Sequence, residues 1–132
     1  MFTPMFTPVS TSDAPAAIGP FSQAIRCGEL LFVSGQLPLD PATGAIVSDD
    51  PVLQLRQCLA NISAIAKAAG TELSNTVKTT VLITDMSKFG VLNEEYAGFF
   101  SAPFPARACY EVSALPKSAK VEIEAVIYCH GG

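Results

Sequence analysis

The residues best suited to chemistry lie in the last third of the chain, where an arginine and two glutamates occur within apolar segments. Arg107 stands two residues before Cys109, and Glu122 and Glu124 alternate with apolar residues further along. A guanidinium can bind a carboxylate through two parallel hydrogen bonds, and a nearby carboxylate can accept a proton from water. One interpretation of this combination is a small-molecule site in which the arginine binds a carboxylate and a glutamate accepts a proton from water.

Strand alternation predicts that these side chains share one face of a sheet. Alternate side chains of a strand point to opposite faces, so the apolar residues of 120–128 face one way and Glu122 and Glu124 face the other. If the apolar residues of 107–112 share the covered face, Arg107 and Cys109 join the two glutamates on the opposite face. A hairpin through the intervening loop would set Cys109 across from Glu122, with Arg107 on the adjacent diagonal.

The same charges allow a second interpretation, an exposed ladder of ion pairs. Such pairs are common on solvated sheet faces and contribute little stability. They would join Arg107 to Glu122 or Glu124, and Glu111 to Lys120. Apolar and aromatic residues mixed into the same face favour contact with a partner subunit over open water.

The cysteines and the single histidine indicate no metal site. Cys27, Cys58, Cys109 and Cys129 match neither a zinc spacing nor a dense disulfide framework, which predicts reduced thiols in a cytoplasmic protein and leaves a mitochondrial location open. Without a histidine nearby to activate it, Cys109 is expected to be an unreactive thiol, and the other three to be small core residues. His130 lies two residues from the end of the sequence, so His-driven catalysis within one chain is not expected.

Composition predicts self-association and excludes several classes of partner. Only 15% of the 132 residues are charged, against about 25% in typical soluble domains. A monomer of this mass exposes on the order of 6,600 Å², which so few charges cover thinly. The net charge of −4 provides no basic surface for nucleic acid. No apolar run is long enough for a membrane span, and the N-terminus lacks the features of a secretion signal.

Periodicity and turn residues predict one α+β domain, residues 1–132, with residues 1–12 as an N-terminal lead-in. An apolar stripe of helical spacing runs over 51–69, between Asp49 or Asp50 as the N-cap and Gly70, and a second runs over 87–100. Alternation or β-branched content predicts strands at 22–27, 30–36, 76–84, 107–112 and 120–128, with room for one more near the N-terminus. The order β-β-α-β-α-β-β favours a sheet with both helices on one face.

Five short segments occur together in a recognisable order. They are AIGPFSQA at 17–24, SGQLP at 34–38, PARAC at 105–109, LPK at 115–117 and VEIEA at 121–125. The chain resembles the Rid family of reactive-intermediate imine deaminases, also called YjgF-like proteins and formerly L-PSP endoribonucleases. Several motifs in order over nearly the whole chain are far more specific than one short match.

The resemblance implies a chorismate-mutase-like fold, a homotrimer with its sheets in a central barrel, and clefts between subunits. It implies cofactor-independent hydrolysis of 2-aminoacrylate and its imine tautomer to a 2-keto acid and ammonia. Arg107 matches the carboxylate-binding arginine and Glu122 the carboxylate that positions or activates water. The substrate-lining positions correspond to Cys109, through its backbone, and to Phe21, Ser34 and Asn93.

One position departs from the pattern of the deaminase subgroup. Phe21 stands where close relatives often carry tyrosine. A phenyl ring can form a cleft wall, but it cannot donate the hydrogen bond of a tyrosine hydroxyl.

Two other functions remain as alternatives. The older family name suggests an endoribonuclease or translation inhibitor, for which an acidic chain with one terminal histidine lacks the usual acid–base pair and phosphate clamp. The other is a non-catalytic trimer that binds a small carboxylate. Release of 2-keto acid from imino acids would distinguish the favoured deaminase from both.

Overall fold

The strands and helices follow the predicted order with small shifts at their ends. The computed structural model describes residues 5–130, so residues 1–4 of the predicted lead-in and the last two residues lie outside the described part. The strands there are β1 (Phe6–Val9), β2 (Ala24–Cys27), β3 (Leu30–Gln36), β4 (Thr76–Ile83), β5 (Ala106–Glu111) and β6 (Val121–Tyr128). The α-helices are α1 (Pro51–Ala68) and α2 (Phe89–Ala97), the second preceded by a 3-10 turn at Met86–Lys88.

Helix α1 begins and ends where its sequence signals predict. The Asp50 carboxylate accepts a hydrogen bond from the Val52 backbone N–H at 2.9 Å, and Gly70 takes the left-handed φ of 82° just after the end. Two polar residues are fully buried on the apolar side. Gln54 accepts from the Lys120 N–H at 2.7 Å, and the Asn61 amide donates to the carbonyls of Leu37 and Leu39. These side chains fix the loop that leaves β3 and the one that enters β6.

The sheet has the order β1-β2-β3-β6-β4-β5. All neighbouring strands are antiparallel except β4 and β5, which are parallel because α2 crosses between them. The predicted β2–β3 hairpin is confirmed, with Gly28 at a φ of 62° in its two-residue turn. The predicted hairpin of the last two strands is wrong, since β6 pairs with β3 and β4 and not with β5.

The parallel pairing moves Arg107 and Cys109 to the helix-covered face. Their cross-strand partners on β4 are Thr79 and Val81, both of which are buried under the helices. Glu122 pairs instead with Leu82 on the opposite face. The prediction that Arg107 and Cys109 share a face with Glu122 is therefore wrong, and so is their predicted adjacency.

The predicted ladder of ion pairs is also wrong. Arg107 donates to an amide rather than a carboxylate, Glu111 accepts from the Met86 N–H, and the Lys120 ammonium donates to the Asp49 carbonyl. Within residues 5–130 the ion pair present joins Arg56 to Glu95 at 2.6 Å, across the two helices.

The core lies between the helices and one face of the sheet, and the other face is open. Phe32 and Tyr110 remain 46% and 57% exposed on that open face. The chain exposes 7360 Å² in total, above the roughly 6,600 Å² expected of a monomer of this mass. The four thiols are free; Cys58 and Cys129 are core residues as predicted, whereas Cys27 is exposed. Neither described helix is long and apolar enough to cross a membrane.

Candidate active site

Uncharged groups of α2 hold Arg107 against the helix-covered face. Its Nη1 donates to Asn93 Oδ1 at 2.6 Å, and its Cζ lies 5.5 Å from the ring centroid of Phe89 and 5.0 Å from that of Tyr96. Rings bind a cation through their faces and need none of its N–H donors. Among the described residues no carboxylate pairs with this guanidinium, so its charge is available to an anionic ligand.

Cys109 lines the same small apolar recess as Arg107, beside Val81 and Leu92. Burial raises the pKa of the Cys109 thiol, and the Arg107 charge opposes this only in part. The thiol is consequently protonated at neutral pH, where a nucleophile would need to be a thiolate. This environment suits a lining residue.

Glu122 lies on the open face, where its carboxylate fits against Gly35. A Cβ placed on Gly35 would overlap Oε2 of Glu122 and lie 3.0 Å from its Cδ. Ser34 and Gly35 form a bulge, because the pairing of β3 with β6 shifts register between Val33 and Gln36. Burial, and then the neighbouring Glu124 carboxylate, raise the pKa of Glu122 above the usual glutamate value. The missing side chain at position 35 leaves room for the carboxylate.

Ser34 ties the segment that carries Phe21 to the same bulge. The Ser34 hydroxyl donates to the Ser22 carbonyl at 2.6 Å, and its N–H donates to the Gln23 carbonyl at 2.9 Å. Phe21, next to Ser22, is 52% exposed. Its ring folds toward Gly19, whose φ of 130° is unfavourable for other residues.

One chain therefore separates the predicted site residues into two groups. The first, here called the arginine cluster, comprises Arg107, Asn93 and Cys109 on the helix-covered face at β5 and α2. The second, the glutamate cluster, comprises Glu122 and Ser34 at the bulge of β3 on the open face. Phe21 lies on the adjoining segment, which Ser34 binds through the carbonyls of Ser22 and Gln23. A fixed cation suits the carboxylate of a ligand, and a carboxylate of raised pKa suits the transfer of a proton.

Comparison with known proteins places this arrangement in a family. The model of the family described as Endoribonuclease L-PSP matches residues 11–129. The chain belongs to this family, the Rid or YjgF-like proteins. The resemblance found in the sequence motifs is thereby confirmed.

Two curated Rid-family relatives match over most of their length. The RutC family protein y4sK of Sinorhizobium fredii is 68% identical over 123 residues, 93% of this chain and 98% of the relative. A mouse protein named 2-iminobutanoate/2-iminopropanoate deaminase is 49% identical over 118 residues, 89% of this chain and 87% of the relative. Relatives named imine deaminases thus occur at this level of identity.

A solved structure of the Rid family has the same fold. RidA from the Antarctic bacterium Psychrobacter sp. PAMC 21119 superposes with a TM-score of 0.89 at 44% identity, covering 92% of this chain and 98% of that one. The α+β architecture predicted for this chain, a mixed sheet with two helices packed on one face, is confirmed.

Reasoning from the sequence did not identify four residues that shape these two clusters: Gly35, Thr79, Phe89 and Tyr96. Tyr96 falls within the apolar stripe over 87–100, and its spacing of three from Asn93 places the two on one helix face. A glycine within a strand indicates close approach of another group, but the sequence does not say which group approaches. Thr79 had no distinguishing signal, because β-branched residues fill β4.

Proposed function

We propose that this chain is an imine deaminase that hydrolyses small 2-imino acids, such as 2-iminopropanoate formed from 2-aminoacrylate, to 2-keto acids and ammonia. The observation that carries the proposal is an arginine held by an amide and two aromatic rings, with no carboxylate to neutralise it among the described residues. A 2-imino acid supplies the missing carboxylate. The relatives named 2-iminobutanoate/2-iminopropanoate deaminase support the same reaction class.

Arg107 would bind and orient the substrate through its carboxylate. Its remaining N–H donors can form the two parallel bonds that fix a carboxylate in a plane. The adjacent C=N carbon then takes a defined position relative to the groups around it, which removes much of the entropic cost of reaction. Asn93 holds the guanidinium, and the protonated Cys109 lines the recess.

Glu122 would take the proton from the attacking water. The reacting form is the protonated imine. Water oxygen adds to its carbon while one water proton passes to the Glu122 carboxylate, and the C=N electron pair moves to nitrogen to give a neutral amine. The proton then returns from Glu122 to that nitrogen, and the C–N bond breaks as ammonia leaves with its electron pair and the hydroxyl O–H pair forms the carbonyl. The hydroxyl proton passes to Glu122 and then to the departing ammonia, which leaves as ammonium. One water is consumed for each ammonia and keto acid released, and no redox step occurs. A pKa raised above the usual glutamate value, as burial and Glu124 cause here, suits a group that both accepts and returns a proton.

The two clusters would meet between copies of the chain. Within one chain they lie on opposite faces of the sheet, so the arginine cluster of one copy is proposed to face the glutamate cluster of a neighbour. The open face with its exposed Phe32 and Tyr110 offers apolar surface for such contacts. This arrangement agrees with the homotrimer and the intersubunit clefts that the sequence resemblance implies.

The reaction is tested by coupling the protein to a dehydratase that forms 2-aminoacrylate from serine. We expect the initial rate of 2-keto acid release to rise with the concentration of this protein while the dehydratase rate stays constant. A panel of amino-acid precursors then defines which side chains are accepted. Ligand binding without any acceleration across the panel would contradict the deaminase and favour the non-catalytic carboxylate-binding trimer.

Gly35→Ala is expected to lower kcat by about a hundredfold, because misplacing a catalytic group by about 1 Å has effects of that size. The new methyl group would displace the Glu122 carboxylate, a flexible side-chain end, so the fold should survive. Steady-state kinetics and thermal unfolding measure the two effects separately.

Gly90→Ala is the matched control, since a Cβ at Gly90 in α2 meets no atom within 4 Å. It should keep the activity of the unmodified protein. Equal kcat values for the two variants would show that Gly35 does not seat the Glu122 carboxylate.

A further inference from the structure

A tyrosine connects the buried part of β4 to the guanidinium of Arg107. The Tyr96 hydroxyl and Thr79 Oγ1 are 2.7 Å apart, and the two residues are 5% and 1% exposed. On the other side, the Arg107 Cζ lies 5.0 Å from the Tyr96 ring centroid. Thr79 is also the cross-strand partner of Arg107 in the parallel β4–β5 pairing. The three residues therefore form a closed set of contacts between β4, α2 and β5.

The Tyr96 ring is restrained at two places, which fixes the position of the ring face that Arg107 contacts. The hydroxyl bond to Thr79 fixes one end, and the Phe100 ring packs against it with centroids 4.9 Å apart. A buried hydroxyl costs free energy unless it is paired, so any movement of the ring that breaks the Thr79 bond is opposed. Because the Arg107 guanidinium packs on this ring, the fixed position of the ring also fixes the position of the guanidinium.

The contact with the Tyr96 ring orients Arg107 and leaves its positive charge and its other N–H donors available to a ligand. The ring face carries no formal charge, so it attracts the cation without neutralising it. It also accepts no conventional hydrogen bond, so the N–H donors other than the one given to Asn93 are left without a partner among residues 5–130. A carboxylate partner in the same place would fix the arginine equally well, but it would compete with an anionic substrate.

We propose that Tyr96, fixed by Thr79, is the positioning residue for carboxylate recognition by Arg107. The proposal rests on the proposed function in one respect, that Arg107 binds the substrate carboxylate. The aromatic face performs the role, and the hydroxyl keeps the face in place. Tyr96 touches no substrate and takes no part in proton transfer.

The test compares Tyr96→Leu, which removes the face, with Tyr96→Phe, which keeps it and removes only the bond to Thr79. Thr79→Val removes the same bond from the other side with little change in shape. The first readout is the Nε–H resonance of Arg107 in the ligand-free protein, assigned through its absence in Arg107→Lys. The second is the dissociation constant of 2-oxobutanoate, a 2-keto acid with the same carboxylate, measured by calorimetry. Thermal unfolding identifies any variant that fails to fold.

We expect the Arg107 resonance to be displaced by ring current in the unmodified protein and in Tyr96→Phe. In Tyr96→Leu the part of that displacement due to the Tyr96 ring should be lost, and the part due to the Phe89 ring should remain. The dissociation constant should rise about tenfold in Tyr96→Leu and no more than about threefold in Tyr96→Phe and Thr79→Val. In the deaminase assay Tyr96→Leu should raise KM and leave kcat nearly unchanged.

A folded Tyr96→Leu protein with an unchanged Arg107 resonance and unchanged binding would overturn the proposal. These two readouts do not depend on turnover. If the unmodified protein released no keto acid, the deaminase assignment would fail while the resonance comparison still decided the role of Tyr96.

Discussion

Arg107→Ala is expected to lower kcat/KM for 2-imino acid hydrolysis by about a hundredfold or more, the largest effect on substrate binding of any single substitution in this chain. The guanidinium is the charged group held toward the recess by neutral partners, and charge-assisted paired hydrogen bonds are among the strongest that side chains form. Coupled keto-acid release measures the loss, and calorimetry with 2-oxobutanoate measures the binding component.

Two further arginine variants serve as comparisons for Arg107→Ala. Arg107→Lys keeps the charge and loses the planar pair of donors, so its kcat/KM should fall between those of the unmodified protein and Arg107→Ala. Arg56→Ala removes an exposed arginine paired with Glu95 on the helices and should leave kcat/KM unchanged. Full activity in a folded Arg107→Ala protein would refute the assignment of the carboxylate site.

Glu122→Gln is expected to lower kcat by about a thousandfold, because it replaces a base with a group of the same shape that accepts no proton. The amide still fits the space beside Gly35, so binding of 2-oxobutanoate should persist. A large loss of kcat with a nearly constant dissociation constant separates this residue from Arg107. Unchanged kcat in this variant would assign proton transfer to another group.

The pH dependence of kcat provides a second signature of Glu122. The base form is lost as pH falls through the pKa of Glu122, which burial and Glu124 raise above the ordinary glutamate value of about 4.3. The acid limb of the unmodified protein should therefore lie above that ordinary value. Glu124→Gln removes a like charge, lowers the pKa of Glu122 and should move the limb to lower pH with the plateau retained. A limb that does not move would contradict this coupling.

Mixing Arg107→Ala subunits with Glu122→Gln subunits tests whether each site takes its residues from two copies of the chain. If Arg107 of one copy works with Glu122 of its neighbour, co-assembled Arg107→Ala and Glu122→Gln subunits regain some intact sites. Random assembly in equal amounts would restore roughly a quarter of the sites, since each site draws one residue from each of two neighbours. A site within one chain would gain nothing from mixing.

The helices and most strand ends were predictable because their signals are local. Asp50, Pro51 and Gly70 bound α1 by capping and backbone preferences that operate within a few residues. The β2–β3 hairpin follows in the same way from its two-residue turn at Gly28. Family motifs added the candidate residues, whose types and order are visible in the chain.

The face that carries Arg107 was not predictable from alternation, because the partner of β5 is set by a long-range crossover. Consecutive strands usually pair, which favours a β5–β6 hairpin. Here α2 returns the chain so that β5 pairs in parallel with β4, and β6 pairs with β3 and β4 instead. Alternation puts Tyr110 among the apolar residues of the covered face and Arg107 on the open one. In the structure Tyr110 is exposed on the open face, and Arg107 lies on the helix-covered face beside α2. Long polar side chains can cover apolar surface, and Arg107 does so over two aromatic rings.

The position of the two clusters on opposite faces of one sheet constrains the symmetry of any active assembly. A two-fold dimer would have to press both faces of each sheet against the same partner to complete its sites. A head-to-tail arrangement uses one face for each neighbour, and an open array of this kind always leaves one cluster unmatched at either end. Closure into a ring removes those ends, so that every copy contributes one cluster to each of two sites and no cluster is left unmatched. Dilution that opens the ring should therefore lower the activity per chain while each chain remains folded.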